Sequence, residues 1–314
     1  MKFKQALSTL NLTISEIRPM ASDNDILKKV RKIEIKTRGL SNQIFAGKYH
    51  SAFKGRGMSF SEVRDYRIGD DVRDIDWNVT ARAREPYIKT YEEERELTMM
   101  LLVDVSNSGL FGTTDSLKKN VMTEIAAVLA FSASQNNDKI GCIFFSDKIE
   151  KYIPPKKGRQ HILVIIRELI DFKPESTRTD IGVALQFLTN VIKKRSTAFI
   201  LSDFMDIDLL RKKARFEDAL KIASKKHDLV AVKVYDRREA ELPDVGIIEF
   251  HDAETGENVW VDTSSAKVRA DYANHWKEAA FLIDSTLVKY RVDYVSVSTS
   301  DDYVKSLIRL FKQR

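Results

Sequence analysis

A run of apolar residues that does not alternate, Leu101-Leu102-Val103, stops at Asp104 and passes straight into Val105-Ser106-Asn107-Ser108-Gly109. A strand with water on one face alternates apolar and polar side chains, so an unbroken apolar run asks for a strand buried on both faces, in a parallel sheet covered by helices. In such sheets ligands collect outside the carboxyl ends of the strands, where the connecting loops diverge. Asp104, Ser106 and Ser108 stand at such an end and read as one edge of a divalent-cation site: Mg²⁺ takes oxygen ligands in near-octahedral geometry, and hydroxyls at alternate positions of an extended loop can point the same way. The same stretch also fits an Asx-turn leading into a helix.

The rest of the chain alternates strand-like and helix-like segments. Strands are expected at 97–104, 139–146, 149–153, 197–202, 229–235 and 292–297, and helices at 116–135, 159–171, 180–194, 207–225, 264–287 and 301–312. That alternation predicts an α/β fold with a doubly wound, mostly parallel six-stranded sheet. Gly246-Ile247-Ile248-Glu249-Phe250 and Asn258-Val259-Trp260-Val261 flank a turn-rich stretch and read as a hairpin inserted at the edge of the core. Residues 1–95 read as an N-terminal helix followed by a β-rich segment packed on the core, with the α/β domain over 96–314; sparse Gly and Pro leave no flexible linker between them.

Two further strand-end loops carry oxygens. Arg178-Thr179-Asp180-Ile181-Gly182 opens a helical pattern, and Phe199-Ile200-Leu201-Ser202-Asp203 ends an apolar strand in a carboxylate. Together with the first loop they resemble the von Willebrand factor A-like fold and its metal-ion-dependent adhesion site, Asp-x-Ser-x-Ser, then Thr, then Asp. The matching positions are Asp104, Ser106, Ser108, Thr179 and Asp203, with Thr177 as the alternative threonine if the loop is set differently. Gly55-Arg56-Gly57-Met58-Ser59-Phe60, Arg64-Asp65-Tyr66, Gly69-Asp70-Asp71-Val72-Arg73-Asp74-Ile75-Asp76-Trp77 and Ala81-Arg82 resemble the signature of the bacterial family catalogued as domain of unknown function fifty-eight. That resemblance extends from about residue 25 to the C-terminus.

The resemblance implies a metal, Mg²⁺ first and Mn²⁺ or Ca²⁺ as alternatives, with the serines as direct ligands and the carboxylates often acting through water. It implies a protein partner offering an Asp or Glu carboxylate. Genes of the family commonly neighbour MoxR-type AAA+ ATPases, which implies an adaptor presenting clients to such a machine or serving complex maturation. Many adhesion sites place Gly after the final Asp, whereas Phe204 follows Asp203 here; it either narrows access to the ion or packs beneath it.

Composition excludes several other classes. With 43% hydrophobic residues in 314, the chain can bury a full core, and no run approaches the roughly 18 apolar residues of a membrane span. Met1-Lys2-Phe3-Lys4-Gln5 is not followed by an apolar signal core, so a cytoplasmic protein is expected, with peripheral membrane contact left open. The single cysteine, Cys142, lies in an apolar run and reads as a buried, inert thiol in a reducing compartment. The net charge of +6 is uneven: residues 1–60 hold 12 Lys and Arg against 4 Asp and Glu, leaving the remainder at −2. The basic arm, including Asp25–Ile33 with apolar residues at helical spacing, is either a solvated face or a contact for an acidic partner, an anionic surface or nucleic acid, the last not favoured.

Between residues 62 and 95, arginines and aspartates alternate at short range. Arg64, Asp70, Asp71, Arg73, Asp76 and Arg82 are expected to form a structural ion-pair lattice over Trp77 as a packing anchor. Catalytic patterns mostly fail. Gly55-Arg56-Gly57 lacks the spacing and lysine of a P-loop, and no Gly-x-Ser-x-Gly elbow surrounds Ser106. His50, His161, His227, His251 and His275 lack metal-ligand spacing and read as surface or packing residues. An Mg²⁺-dependent phosphoester hydrolase of haloacid dehalogenase type would want a second Asp where Ser106 stands, and a hydroxyl of ordinary pKa is a poor proton shuttle at pH 7. Binding without turnover is therefore the expectation, with the hydrolase as its alternative.

Overall fold

The computed structural model describes residues 31, 59–67, 69–83, 85–92, 97–110, 117–251 and 258–314. The backbone divides into two compact units, one over His50–Leu97 and one containing Thr98–Arg314.

In the larger unit six strands line up as β12-β9-β6-β3-β4-β5, where β3 is Thr98–Asp104, β4 Lys139–Phe145, β5 Ile149–Lys156, β6 Thr197–Ser202, β9 Asp228–Tyr235 and β12 Asp293–Ser298. All neighbours run parallel except β4 and β5, a tight antiparallel pair. This is the doubly wound α/β sheet anticipated from the sequence. The chain leaves β3 towards β4 on one side and later returns to place β6 on the other, so the β3–β6 boundary is the point where ligands of such sheets bind. Residues 99–104 of β3 and all of β6 are buried, as the unbroken apolar runs require.

The main covering helices are α2 (Lys118–Gln135), α3 (Arg159–Asp171), α4 (Ile181–Val191), α5 (Glu217–Lys226), α7 (Ala266–Lys289) and α8 (Tyr303–Gln313). α2 buries Val121, Met122, Ile125, Val128 and Leu129 among others, with few residues left to water. A core of Met100, Leu102, Ile200, Leu185, Leu188, Phe204, Phe216 and Leu220 joins α4 and α5 to the sheet, and burying apolar surface of this kind is the main stabilising term, about 25 cal/mol per Å². Cys142 is a free, buried thiol, and burial pushes its pKa up.

One helix is shorter than its sequence pattern. Residues 207–214, expected as the start of a helix over 207–225, instead form a miniature hairpin of β7 (Ile207–Asp208) and β8 (Lys213–Ala214). Asp208 Oδ1 accepts the backbone N–H groups of Leu210 and Arg211 at 3.1 and 3.0 Å, and Lys212 takes a left-handed φ of +49°. A short polar side chain that satisfies its own backbone competes with helix formation, and here it wins. The hairpin β10 (Ile247–His251) and β11 (Asn258–Asp262) is a separate two-stranded sheet, with Ile248 and Val261 resting on Leu242 and on Tyr272 of α7. The short α6 (Arg237–Ala240) follows β9 and carries a complete capping box between Asp236 and Glu239.

The smaller unit is a hairpin of β1 (Ser59–Asp65) and β2 (Tyr87–Glu92) enclosing a 3-10 turn at Val72–Asp74 and α1 (Trp77–Ala83). Its charged residues divide their work. Arg64 clamps Asp70 with two bonds of 2.8 and 2.9 Å, holding the Asp70 carboxyl below its usual range. Asp71 and Asp76 accept backbone N–H groups, Asp71 from Arg73 at 2.9 Å and Asp76 from Asn78 at 3.0 Å, so they cap turns. Arg73 and Arg82 are exposed. Trp77, expected beneath these pairs as a packing anchor, is instead 69% exposed at the start of α1. The basic arm lies almost entirely outside the described residues. Among the described residues no helix is long and apolar enough to cross a membrane.

Candidate functional site

β3 delivers Asp104 to the carboxyl edge of the sheet at the β3–β6 boundary, where it is 3% exposed. Its two oxygens are both engaged: Oδ1 accepts the backbone N–H of Ser106 at 3.0 Å, and Oδ2 accepts the hydroxyl of Ser202 at 2.6 Å. The first contact is the Asx-turn of the sequence reading, so turn and site are one structure. The turn sends the chain into a 3-10 segment, Asn107–Leu110, with the Ser106 and Ser108 hydroxyls 2.9 Å apart.

The second loop is pinned beside the first. Asp180 caps α4 by accepting the N–H of Val183 at 3.1 Å, and its own N–H donates to the Ser146 carbonyl at the end of β4. This brings Thr179 Oγ1 to donate to Ser106 Oγ at 2.8 Å. Thr177 contributes its backbone carbonyl to the N–H of Asn107 at 3.4 Å, so Thr179 is the threonine whose hydroxyl joins the cluster.

The third loop leaves β6. Asp203 Oδ1 accepts the N–H of Met205 at 3.1 Å and its Oδ2 accepts Lys118 Nζ at 2.8 Å, and Ser108 lies near enough to help hold this carboxyl below its usual range. Asp104, Ser106, Ser108, Thr179 and Asp203 thus form one continuous set of oxygens drawn from three loops. Phe204 turns inward with φ +61°, fully buried, its ring 5.8 Å from that of Phe216. Its side chain packs into the core rather than over the site, and its left-handed backbone is one that glycine adopts without strain.

Electrostatically the cluster is short of positive charge at one end. Burial and then the Asp203 charge push Asp104 up to about 6, with the Ser202 and Ser106 bonds pulling the other way. Burial would raise Asp203 too, but the Lys118 ammonium outweighs it and holds this carboxyl below the usual range. Asp206, buried under the first turn of α4, where its Oδ2 accepts the N–H of Ile181 at 3.2 Å, is pushed up to about 6 by burial. A carboxylate raised first by burial and then by a neighbouring carboxylate would be favoured in its charged form by a nearby cation. Among the described residues no group of three or more His, Cys, Asp or Glu side chains gathers in a metal-holding arrangement, so an ion here would draw on the serine and threonine hydroxyls. That donor set, with two carboxylates, suits a hard divalent cation.

Sequence reasoning singled out neither Ser202, Lys118 nor Glu239. Ser202 is the residue before Asp203 and its Oγ serves twice, donating to Asp104 and accepting the N–H of Phe204 at 3.0 Å. The described histidine contacts are packing contacts: His227 meets Ser196, His161 the Ile140 carbonyl and His275 the Asp271 carbonyl.

The sequence profile of the family described as "Protein of unknown function DUF58" matches residues 62–280. The chain belongs to the DUF58 family. Among relatives of this DUF58 chain, the uncharacterized protein Rv1480 of Mycobacterium tuberculosis is 28% identical over 303 residues, covering 96% of this chain and 93% of that protein. The uncharacterized protein MAV169 of Mycobacterium avium is 26% identical over 164 residues, 52% of this chain and 93% of its own length. Solved structures that overlap this DUF58 chain include an aerotolerance-related membrane protein from Bacteroides fragilis, at 16% identity and TM-score 0.46 over 69% of this chain and 100% of that one. A von Willebrand factor type A structure from Catenulispora acidiphila overlaps at 11% identity and TM-score 0.39, covering 72% of this chain and 43% of that one.

Proposed function

We propose that this DUF58 protein is a divalent-metal-dependent protein-binding module. The observation that carries the reading is the hydroxyl chain Thr179–Ser106–Ser108, with links of 2.8 and 2.9 Å, set between the buried carboxylate of Asp104 and the largely covered side chain of Asp203 at the sheet's switch point. Ser106, Ser108 and Thr179 would hold the ion with their oxygens while Asp104 and Asp203 balance its charge. The ion, Mg²⁺ by the hardness of the donors, supplies an electrophilic position for an Asp or Glu carboxylate of a protein partner.

Binding is favoured over turnover by the way Asp104 is held. Each oxygen of Asp104 already accepts a hydrogen bond, one from Ser202 and one from the Ser106 N–H, in a setting only 3% exposed that restricts the approach of a phosphorus centre, and Ser106 stands where the hydrolase wants a second carboxylate. The family resemblance extends the proposal to an adaptor in the cytoplasm that works with a MoxR-type AAA+ ATPase in protein or complex maturation, an analogy at the level of the family.

The test is capture of partners from native cytosol with and without chelator, comparing wild type with Asp104→Ala and Ser106→Ala. A partner ATPase or client present with wild type and absent in all three perturbed samples supports the proposal. A partner set that is the same in all four overturns it. Mg²⁺-dependent release of phosphate from a model ester that is lost in Asp104→Asn would instead establish the hydrolase.

A further inference from the structure

Lys118 is the first residue of α2 and only 1% exposed. Burial disfavours its charge, and so does its position, since the amino end of a helix carries positive partial charge. Two carboxylates offset these penalties: Nζ lies 2.8 Å from Asp203 Oδ2 and 2.5 Å from Glu239 Oε1. Glu239 is itself aimed, because its other oxygen closes the capping box of α6 by accepting the Asp236 N–H at 2.9 Å, while Asp236 Oδ2 accepts the Thr299 hydroxyl at 2.7 Å. An ammonium group is thus built in behind the oxygen cluster, held from outside by Glu239 and sharing Asp203 with the cluster.

We propose that Lys118 is a resident counter-cation and positioning residue, which orients Asp203, offsets part of the negative charge of the ion-free cluster and weakens the hold on a divalent ion so that its binding stays reversible. The inference rests on the metal reading above. Lys118 takes one Asp203 oxygen as its own partner and places a positive charge next to the incoming ion, and both effects lower ion affinity. Glu239 acts in the opposite sense, since it draws off part of that positive charge.

The experiment is calorimetric titration of Mn²⁺ and Mg²⁺ at pH 8 into the full chain: wild type, Asp104→Ala, Lys118→Arg, Glu239→Gln and the double variant Lys118→Met/Glu239→Gln, with melting temperature measured with and without ion. The double variant keeps the site's net charge and should bind the ion about tenfold more tightly. It should also melt lower than wild type without ion and gain more on adding it. Glu239→Gln alone should bind several-fold more weakly, and Lys118→Arg should stay near wild type. A purely structural lysine would give weaker binding in both Lys118→Met/Glu239→Gln and Glu239→Gln. Wild-type binding, lost in Asp104→Ala, with the double variant unchanged or weaker overturns this inference and leaves the metal reading standing. If the double variant does not fold, Glu239→Gln with affinity equal to or above wild type overturns it. Failure of wild type to bind either ion would bring down both.

Discussion

The Ser202 hydroxyl donates to Asp104 Oδ2 at 2.6 Å, so the last residue of one central strand fixes the last residue of its neighbour. Removing that bond leaves a buried carboxylate with fewer donors. Ser202→Ala should cost about 1–3 kcal/mol of stability, the price of an unsatisfied buried acceptor, and should raise the Asp104 pKa further. Chemical denaturation together with the pH dependence of Mg²⁺ affinity measures both effects, and a variant as stable as wild type would remove Ser202 from the site.

Ion affinity should depend on pH near neutrality. Asp104 titrates at about 6, raised first by burial and then by Asp203. An ion must displace that proton, so affinity should be flat above pH 7 and fall about tenfold per unit well below 6. Titrations at pH 5, 6, 7 and 8 check this, and constant affinity from 8 to 5 would exclude Asp104 as a charge partner of the ion.

His227 makes the domain acid-sensitive. Burial first, then Lys226 and Arg195, lower its pKa to about 4, and its Nδ1 meets the Ser196 hydroxyl at 3.0 Å. A histidine whose folded pKa lies below its unfolded value contributes stability that is complete above the unfolded value of 6.5 and is lost as pH falls from there to about 4. The loss attributable to it should reach up to about 3 kcal/mol at pH 4. Urea midpoints from pH 7 to 4, compared with His227→Gln, should show a shallower decline in the variant.

Phe204 sits at φ +61° with its ring buried on Phe216. Truncating a buried phenylalanine costs about 3–5 kcal/mol, but glycine relieves a left-handed strain of about 1–2 kcal/mol that alanine retains. Phe204→Gly should therefore be at least as stable as Phe204→Ala, the reverse of the order at an ordinary position. Thermal melts of the pair decide it.

Gly141 in β4 leaves no room for a methyl group. A Cβ there would lie 2.8 Å from Met100 Sδ, 2.9 Å from the Ile153 carbonyl oxygen and 2.9 Å from Pro155 N. Since two of these three are backbone atoms of β5, Gly141→Ala should destabilise by about 1–3 kcal/mol, as overpacking does, and loosen the β4–β5 pairing. Amide exchange in β5 is the readout.

The central strands were legible because burial on both faces leaves an apolar run that needs no alternation to be recognised, and the runs Leu101–Val103 and Phe199–Leu201 each stop one residue before their strand does, at Asp104 and Ser202. Asp180 was readable as a helix opener because capping chemistry is local. The β7–β8 hairpin was not, since an Asp208 that turns back on its own backbone looks the same in sequence as one in the first turn of a helix. Lys118 gives no signal either: it adjoins Lys119, and only the fold decides that one is sealed against Asp203 and Glu239 while the other reaches the Phe172 carbonyl. Glu239 carried half a signal, the Asp236-to-Glu239 spacing of a capping box, but its second oxygen is directed by tertiary packing. Trp77 was misjudged because an aromatic residue among charges suggests an anchor, whereas at the start of α1 it is exposed.

The parallel pairing of β3 with β6 gives the oxygen cluster its rigidity. Asp104 and Asp203 grow from adjacent, fully covered strands whose backbone hydrogen bonds break only in the rarest, most global openings of a domain. On the proposed reading, the two carboxylates would therefore meet an ion with positions set by the centre of the sheet, leaving only the hydroxyl loops to adjust.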